Sequence, residues 1–189
     1  MKRAIKGSYG YILLKRRYVV LRTVIFFGIS LSLFIAGYAA TGKKENLLTI
    51  VAILGCLPAC KSMVNLIMFF RARGCSENTR NAAKPLEGRL VGMYDMYFTS
   101  YQKNFAISHM VVEGKVVLGY TESSKCDVKA CQEHLQAMLK QGGFKDMTVK
   151  ISDDLEKYCE QLHNLNQMKQ EPSPEKDDEV RGVLYDISL

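Results

Sequence analysis

Two long apolar runs, residues 19–40 and 47–70, are separated only by the polar loop TGKKEN, Thr41 to Asn46, and no other stretch approaches their hydrophobicity. The first contains eighteen consecutive uncharged residues, Thr23 to Ala40. As a helix these rise about 27 Å, close to the hydrocarbon thickness of a bilayer. A soluble core helix rarely needs that length. So short a loop forces the two helices to be antiparallel neighbours, and the pattern predicts a transmembrane hairpin. Basic residues before the first run and small residues such as Gly37 and Ala39 at its end fit a signal peptide. The second run directly behind it argues against cleavage.

Charge sets the orientation. Residues 1–84 hold fourteen Lys and Arg against two acids, and residues 85–189 hold twelve against seventeen, so a net +7 divides into +12 and −5. The N-terminus carries Lys2, Arg3, Lys6, Lys15, Arg16, Arg17 and Arg22 with no acid, and Arg71, Arg73, Arg80 and Lys84 follow the second run. The positive-inside rule then places both termini in the cytoplasm of a multi-pass cell-membrane protein. The basic half suits anionic headgroups, and the acidic half disfavours nucleic acid as a partner.

Within the hairpin, Gly28, Ser32, Ala36 and Ala40 repeat at every fourth position, as do Ala52, Cys56 and Cys60. Small residues at this spacing predict a close helix–helix contact, either within the hairpin or in a homo-oligomer. Lys61 stands inside the second run, with Pro58 one turn before it and Asn65 one turn after. Lys61 and Asn65 form an intramembrane polar site for a lipid headgroup, an ion or a partner helix; otherwise the lysine snorkels beside a proline kink.

The remainder reads as one small domain. Pro85 opens a predicted helix in which Leu86, Leu90, Met93, Tyr94, Tyr97, Phe98 and Tyr101 recur at helical spacing. Phe105 to Val112 and Lys115 to Thr121, split by Glu113-Gly114, predict a β-hairpin. Asp127 caps a helix that stops at Gly142-Gly143, Met147 to Ile151 is a short strand, and Ser152 or Asp153 caps a last helix. The organisation is a basic N-terminus (1–18), the hairpin (19–70), a linker (71–84), a cytoplasmic domain (85–168), an acidic linker (169–179) and a C-terminal strand (180–189). The fold class is α+β, a two-helix transmembrane hairpin followed by a domain of order α-β-β-α-β-α-(β).

The runs ILGCLPACKSMVNLIMFF (Ile53 to Phe70) and VKISDDL (Val149 to Leu155), the strand end Gly119-Tyr120 and the terminal Ile187-Ser188-Leu189 carry a resemblance. Over nearly its whole length the chain resembles a family of small two-span bacterial membrane proteins often labelled "O-linked GlcNAc transferase-like". The resemblance implies this architecture and a bacterial cytoplasmic membrane. It supplies no functional residues, and the chain has neither the helical repeats nor the nucleotide-sugar-binding domain that the label's activity needs.

Few residues form chemical constellations. Glu113-Gly114-Lys115 matches the Glu-x-Lys element of metal-dependent nucleases, with Asp95 as an acidic partner, but the glycine makes it a hairpin turn. His109, His134 and His163 are scattered, and no nucleophile elbow exists. Cys131 and His134 are three apart on one predicted helix, and Cys159 and His163 four apart on another. The four are zinc ligands if those helices pack side by side; otherwise the cysteines are small hydrophobes on apolar stripes. The expected function is a non-enzymatic, membrane-anchored interaction module. Its partners are membrane lipids and another membrane or membrane-proximal protein. The alternative is an enzyme acting on a lipid or membrane-bound substrate. An enzyme requires a deep pocket with converging polar groups, an adaptor a flat patch or an open sheet edge.

Overall fold

A computed structural model describes residues 5–42, 46–100, 103–167 and 174–189. The chain divides into two units, Ile12–Ala72 and a second one made of Met1–Tyr11 with Arg73–Leu189.

The first unit is a pair of helices, α1 (Tyr11–Thr41) and α2 (Leu47–Arg71). The centre of the connecting loop, residues 43–45, lies outside the described residues. Asn46 caps α2 by accepting from the Thr49 amide at 2.9 Å. At the other end Arg16 donates to the Phe69 and Ala72 carbonyls at 3.2 and 3.1 Å, a cation on a helix C-terminus. Among the described residues, every exposed large hydrophobic residue apart from Ile5 and Val91 lies on these two helices. Both are long and apolar enough to cross a membrane.

The contact between them differs from the expected small-residue stripe. Gly28, Ser32, Ala36 and Ala40 are exposed; the seam is Val19, Thr23, Ser30 and Gly37 against Ala52, Ala59, Ser62 and Phe69. Seven-residue steps drift only about 20° around a helix, whereas successive four-residue steps wind steadily away from a straight partner. Only the heptad set stays in contact. Gly37 and Gly55 permit the approach: a Cβ at Gly37 would lie 2.8 Å from Leu48 Cβ, and one at Gly55 2.8 Å from Ser30 Oγ.

The second unit is mixed α+β around a four-stranded mixed sheet of order β1-β2-β3-β4. Strands β1 (Met93–Thr99), β2 (Asn104–Glu113) and β3 (Val116–Tyr120) form an antiparallel meander, and β4 (Thr148–Ser152) joins β3 in parallel. The helices are α3 (Glu77–Glu87), α4 (Val128–Gln141), α5 (Leu155–Gln167) and α6 (Pro174–Ile187). Leu135 and Leu139 of α4 and Leu184 of α6 share one core with Met96, Phe105 and Ile107. Ala83 of α3 and Tyr158 and Leu162 of α5 share another with Val111, Leu118 and Tyr120. Side chains at Val111 and Val112 point to opposite faces of β2 and enter different cores, so each helix pair covers one face.

Three expected elements are corrected. Residues 93–99 are a strand, because Met93 to Phe98 are all buried between the two helix layers and such a run satisfies either period. The helical spacing has a further cause at Asp95, whose φ of +56° interrupts the pleat. Met93 and Met96 therefore enter the same core although strict alternation would separate them. The expected linker contains α3, capped by Ser76 on the Thr79 amide, with Pro85 near its end. Residues 174–187, expected as acidic linker and strand, are a helix: Pro174 opens it, Glu175 and Asp177 occupy its first turn, and Val180 and Leu184 bury one side. At its end Ser188 pairs with Phe98 in one isolated bridge. The elements of this unit thus run α-β-β-β-α-β-α-α. Helix α5 is capped by Asp154, which accepts from the Glu156 and Lys157 amides, in place of Ser152 or Asp153. Tyr101 lies outside the described residues.

The outer edge of β1 is covered by both chain ends. Tyr94 N donates to Gly7 O at 2.8 Å and Leu189 N to Tyr97 O at 2.9 Å. Lys6 Nζ joins those ends by donating to the Tyr185 and Ser188 carbonyls, each at 2.9 Å.

Candidate functional site

In the first unit, polar side chains gather where Thr23 meets Ser62. Their hydroxyls are 2.7 Å apart, Thr23 Oγ1 also reaches the Val19 carbonyl at 2.8 Å, and Arg22 Nε donates to Ser62 Oγ at 3.2 Å. Beside them is an open groove of about 640 Å³ lined by Arg22, Phe26, Pro58, Lys61, Ser62, Val64, Asn65 and Met68. Lys61 and Asn65 are thus brought together, as the one-turn spacing implied. Arg22 is the member sequence reasoning missed. Counted along α2 alone, Lys61 falls near the middle of the apolar run. The helix register, with Ser30 beside Gly55 and Thr23 beside Ser62, places it level with Arg22, at the start of the uncharged run of α1. Neither helix contains an acid. Among the described residues Lys61 Nζ has no protein partner, and Arg22 has only the Nε bond.

In the second unit the polar residues are sealed. Glu87 at the end of α3 is 3 % exposed, His109 of β2 and Tyr158 of α5 are both 0 %, and Tyr94 of β1 is 5 %. His109 lies 2.6 Å from Tyr158 Oη through Nδ1 and 3.2 Å from Glu87 Oε1 through Nε2. Tyr94 Oη donates to the same carboxylate oxygen in a short bond, and Lys84 Nζ holds the other at 2.7 Å. Hydrogen-bond balance assigns the tautomer: the buried Tyr158 hydroxyl must donate, so Nδ1 accepts and Nε2–H donates to Glu87. Burial alone would raise the Glu87 carboxyl, but the bonds from His109, Lys84 and Tyr94 outweigh it and lower the pKa to about 2. Burial, and for Tyr94 the adjacent carboxylate, raise both tyrosines. Gly92 makes room, since a Cβ there would lie 2.4 Å from Glu87 Oε1 and 2.7 Å from His109 Nε2.

A carboxylate orienting an imidazole is the arrangement of a general base. Here the second nitrogen is taken by a buried phenol. A groove of about 350 Å³ that shares Lys84, Gly92 and Tyr94 is lined also by Ile5 to Tyr9 and Arg80 and does not include His109. The network joins α3, β1, β2 and α5 from inside.

The four Cys and His residues weighed as zinc ligands are not brought together. Cys131 belongs to the core under α4 and α6, and α5 with Cys159 and His163 covers the opposite face. His134 packs against Phe105 with centroids 5.7 Å apart, His163 bonds Gln167, and no cluster of three metal-binding side chains exists among the described residues. Glu113 pairs with Arg89 at 2.7 Å, while Asp95 accepts from the Cys75 amide at 2.6 Å, so Asp95 does not serve as the acidic partner of the Glu-x-Lys element.

The sequence signal for the buried network was slight. His109 interrupts an apolar strand, and Tyr158 falls on the buried stripe of α5. Comparison with known protein families, characterised proteins and solved structures returns no match to the chain.

Proposed function

We propose that the protein is a membrane-anchored, non-enzymatic interaction module. Its hairpin crosses the cytoplasmic membrane of a bacterium with both termini inside, and its α+β domain is tethered at the inner leaflet. There the domain binds another membrane or membrane-proximal protein. The observation that carries the non-enzymatic reading is the closure of the Glu87–His109–Tyr158 network. This is the domain's one assembled acid–base constellation among the described residues, every member is partnered within the fold, and the imidazole is fully buried. The membrane reading draws on the unburied apolar surface of α1 and α2 and on the basic flanks. Tethering raises the domain's effective concentration for a partner in the same membrane. Strand β4 has a neighbour on one side only among the described residues, an edge of the type that β-augmentation uses.

Crosslinking in native membranes with mass-spectrometric identification tests the reading. One reproducible protein partner crosslinked to the domain is expected. Absence of any specific partner, together with a small molecule retained in a domain pocket, overturns it. Topology is tested separately: an impermeant thiol reagent applied to intact cells labels Asn46→Cys but leaves Cys126 unmodified. Labelling of Cys126 reverses the orientation.

A further inference from the structure

The groove on the hairpin contains two cations from different helices at one level, Arg22 and Lys61, with no acid on either helix to neutralise them. In an aqueous protein surface this would be unremarked. On a helix pair whose outward face is apolar, an unneutralised pair of charges is unfavourable and calls for an anionic counterpart. The Ser62 hydroxyl fixes the Arg22 guanidinium through Nε at 3.2 Å, while its two terminal nitrogens make no protein hydrogen bond among the described residues. Those nitrogens present the planar fork that matches phosphate oxygens, and the Lys61 ammonium adds a point charge beside it. The rest of the lining, Phe26, Pro58, Val64 and Met68, is apolar.

We infer that this groove holds the phosphodiester of an anionic phospholipid, with Arg22 and Lys61 on its oxygens, Asn65 as an auxiliary donor, and Phe26 and Pro58, on the hydrocarbon side of the two cations, against the acyl chain. The inference rests on the membrane reading above. With Thr23 to Ala40 filling the hydrocarbon, the register places both cations at the boundary on the cytoplasmic side, the depth at which lipid phosphates lie. A zwitterionic lipid offers the same phosphate but brings its own cation to a site that already holds two, so selectivity for net-anionic headgroups follows.

The test uses the full chain purified from membranes in mild detergent, with native mass spectrometry to count retained phospholipid. Add-back of phosphatidylglycerol is compared with that of phosphatidylcholine. The wild type retains phosphatidylglycerol in preference, and Arg22→Gln and Lys61→Gln each weaken retention on the order of tenfold, as loss of a charge-assisted contact does. Lys61→Arg keeps it. Excess inorganic phosphate distinguishes the source: full displacement of the lipid by free phosphate overturns the assignment to a phospholipid. Equal retention by the wild type and the Arg22→Gln/Lys61→Gln double variant, with both remaining in membranes after alkaline extraction, overturns the site alone. Release of the wild type by alkaline extraction overturns the membrane reading, and the site with it.

Discussion

The two units treat buried or crowded polar groups in opposite ways. In the domain the buried carboxylates of Glu87, Asp95 and Asp177 are answered from within the fold. Glu87 has Lys84, Tyr94 and His109, Asp177 accepts from the Gly114 amide at 2.9 Å, and Asp95 holds the Cys75 amide. In the hairpin, Arg22 and Lys61 line one groove, Arg22 bonded to one serine hydroxyl and neither helix carrying an acid. A polar group satisfied by its own chain has its presence explained by folding. One left without a counterpart points outside the chain. On the proposed reading the carboxylate–imidazole–phenol network of the domain serves the fold, and the plainer pair of cations on the hairpin is where a ligand is sought.

The sharpest way to break this contrast is to delete one charge from each unit. Glu87→Ala leaves His109 Nε2 and Tyr94 Oη buried without acceptors, and breaking such a pair costs about 3 to 5 kcal/mol. That is a large share of a domain's total stability. The domain of this variant is expected to lose its cooperative thermal transition, followed by circular dichroism of the full chain in detergent. Lys61→Ala, which removes a charge that the fold does not use, leaves the transition in place. Comparable losses for both variants end the distinction.

The same carboxylate gives a pH signature. Its pKa is lowered from 4.5 to about 2 in the fold, so its contribution is fully present above pH 4.5 and is lost as the pH falls towards 2. A shift of that size corresponds to on the order of 3 kcal/mol. Lys84, Tyr94, His109 and Tyr158 are the groups of α3, β1, β2 and α5 that form the network with it. Glu87→Gln is expected to be less stable than the wild type at neutral pH and to approach it below pH 3, in thermal melts across the range. Parallel pH profiles for the two proteins would show that the carboxylate is not held as described.

Where the sequence was legible, start, stop and period agreed. Asp127 before an apolar stripe and Gly142-Gly143 after it bound α4, and Glu113-Gly114 between two β-branched runs marks the turn of β2 and β3. Where it was not, two signals competed. Met93 to Phe98 are apolar on both faces, and the break at Asp95 gives Met93 and Met96 a helical spacing inside a strand. The acids of 175–179 read as solvated, yet they open a helix whose dipole favours them, and Asp177 turns inward to the β2–β3 turn. Lys61 and Asn65 were visible as a polar pair on one helix. Arg22 was not, because only the antiparallel register brings residues 22 and 61 to one level. The buried network has the same difficulty in stronger form: Glu87, His109 and Tyr158 are far apart in the chain and each has an ordinary local reading.

Gly92 sharpens the contrast at smaller scale. An added methyl would lie 2.4 Å from Glu87 Oε1 and 2.7 Å from His109 Nε2, inside contact distance of both halves of their bond. Gly92→Ala is expected to cost about 1 to 3 kcal/mol, the range of overpacking, and to raise amide exchange around His109. Gly28 in α1 has open space around it, and Gly28→Ala, which also gains helix propensity, should be neutral or stabilising. A destabilised Gly28→Ala would mean that the exposed face of α1 is covered by something, and would reopen the small-residue stripe as a contact between chains.

The smallest effect expected is at Ser62, and it separates the two units most finely because that residue belongs to both kinds of polar group. Its hydroxyl meets Thr23 Oγ1 across the seam at 2.7 Å and also holds Arg22 Nε at 3.2 Å. Ser62→Ala removes both bonds but leaves no orphan that its surroundings cannot answer. Thr23 keeps its bond to the Val19 carbonyl, and Arg22 is only half buried. Hydrogen bonds between membrane helices average about 0.6 kcal/mol each, so the hairpin should lose on the order of 1 kcal/mol and remain paired. Hydrogen exchange of residues 16–23 and 60–69 in detergent should rise modestly while that of the domain stays fixed. A loss comparable to that of Glu87→Ala would show that the hairpin, like the domain, is held from inside by its polar residues, and the two cations would then have a structural explanation.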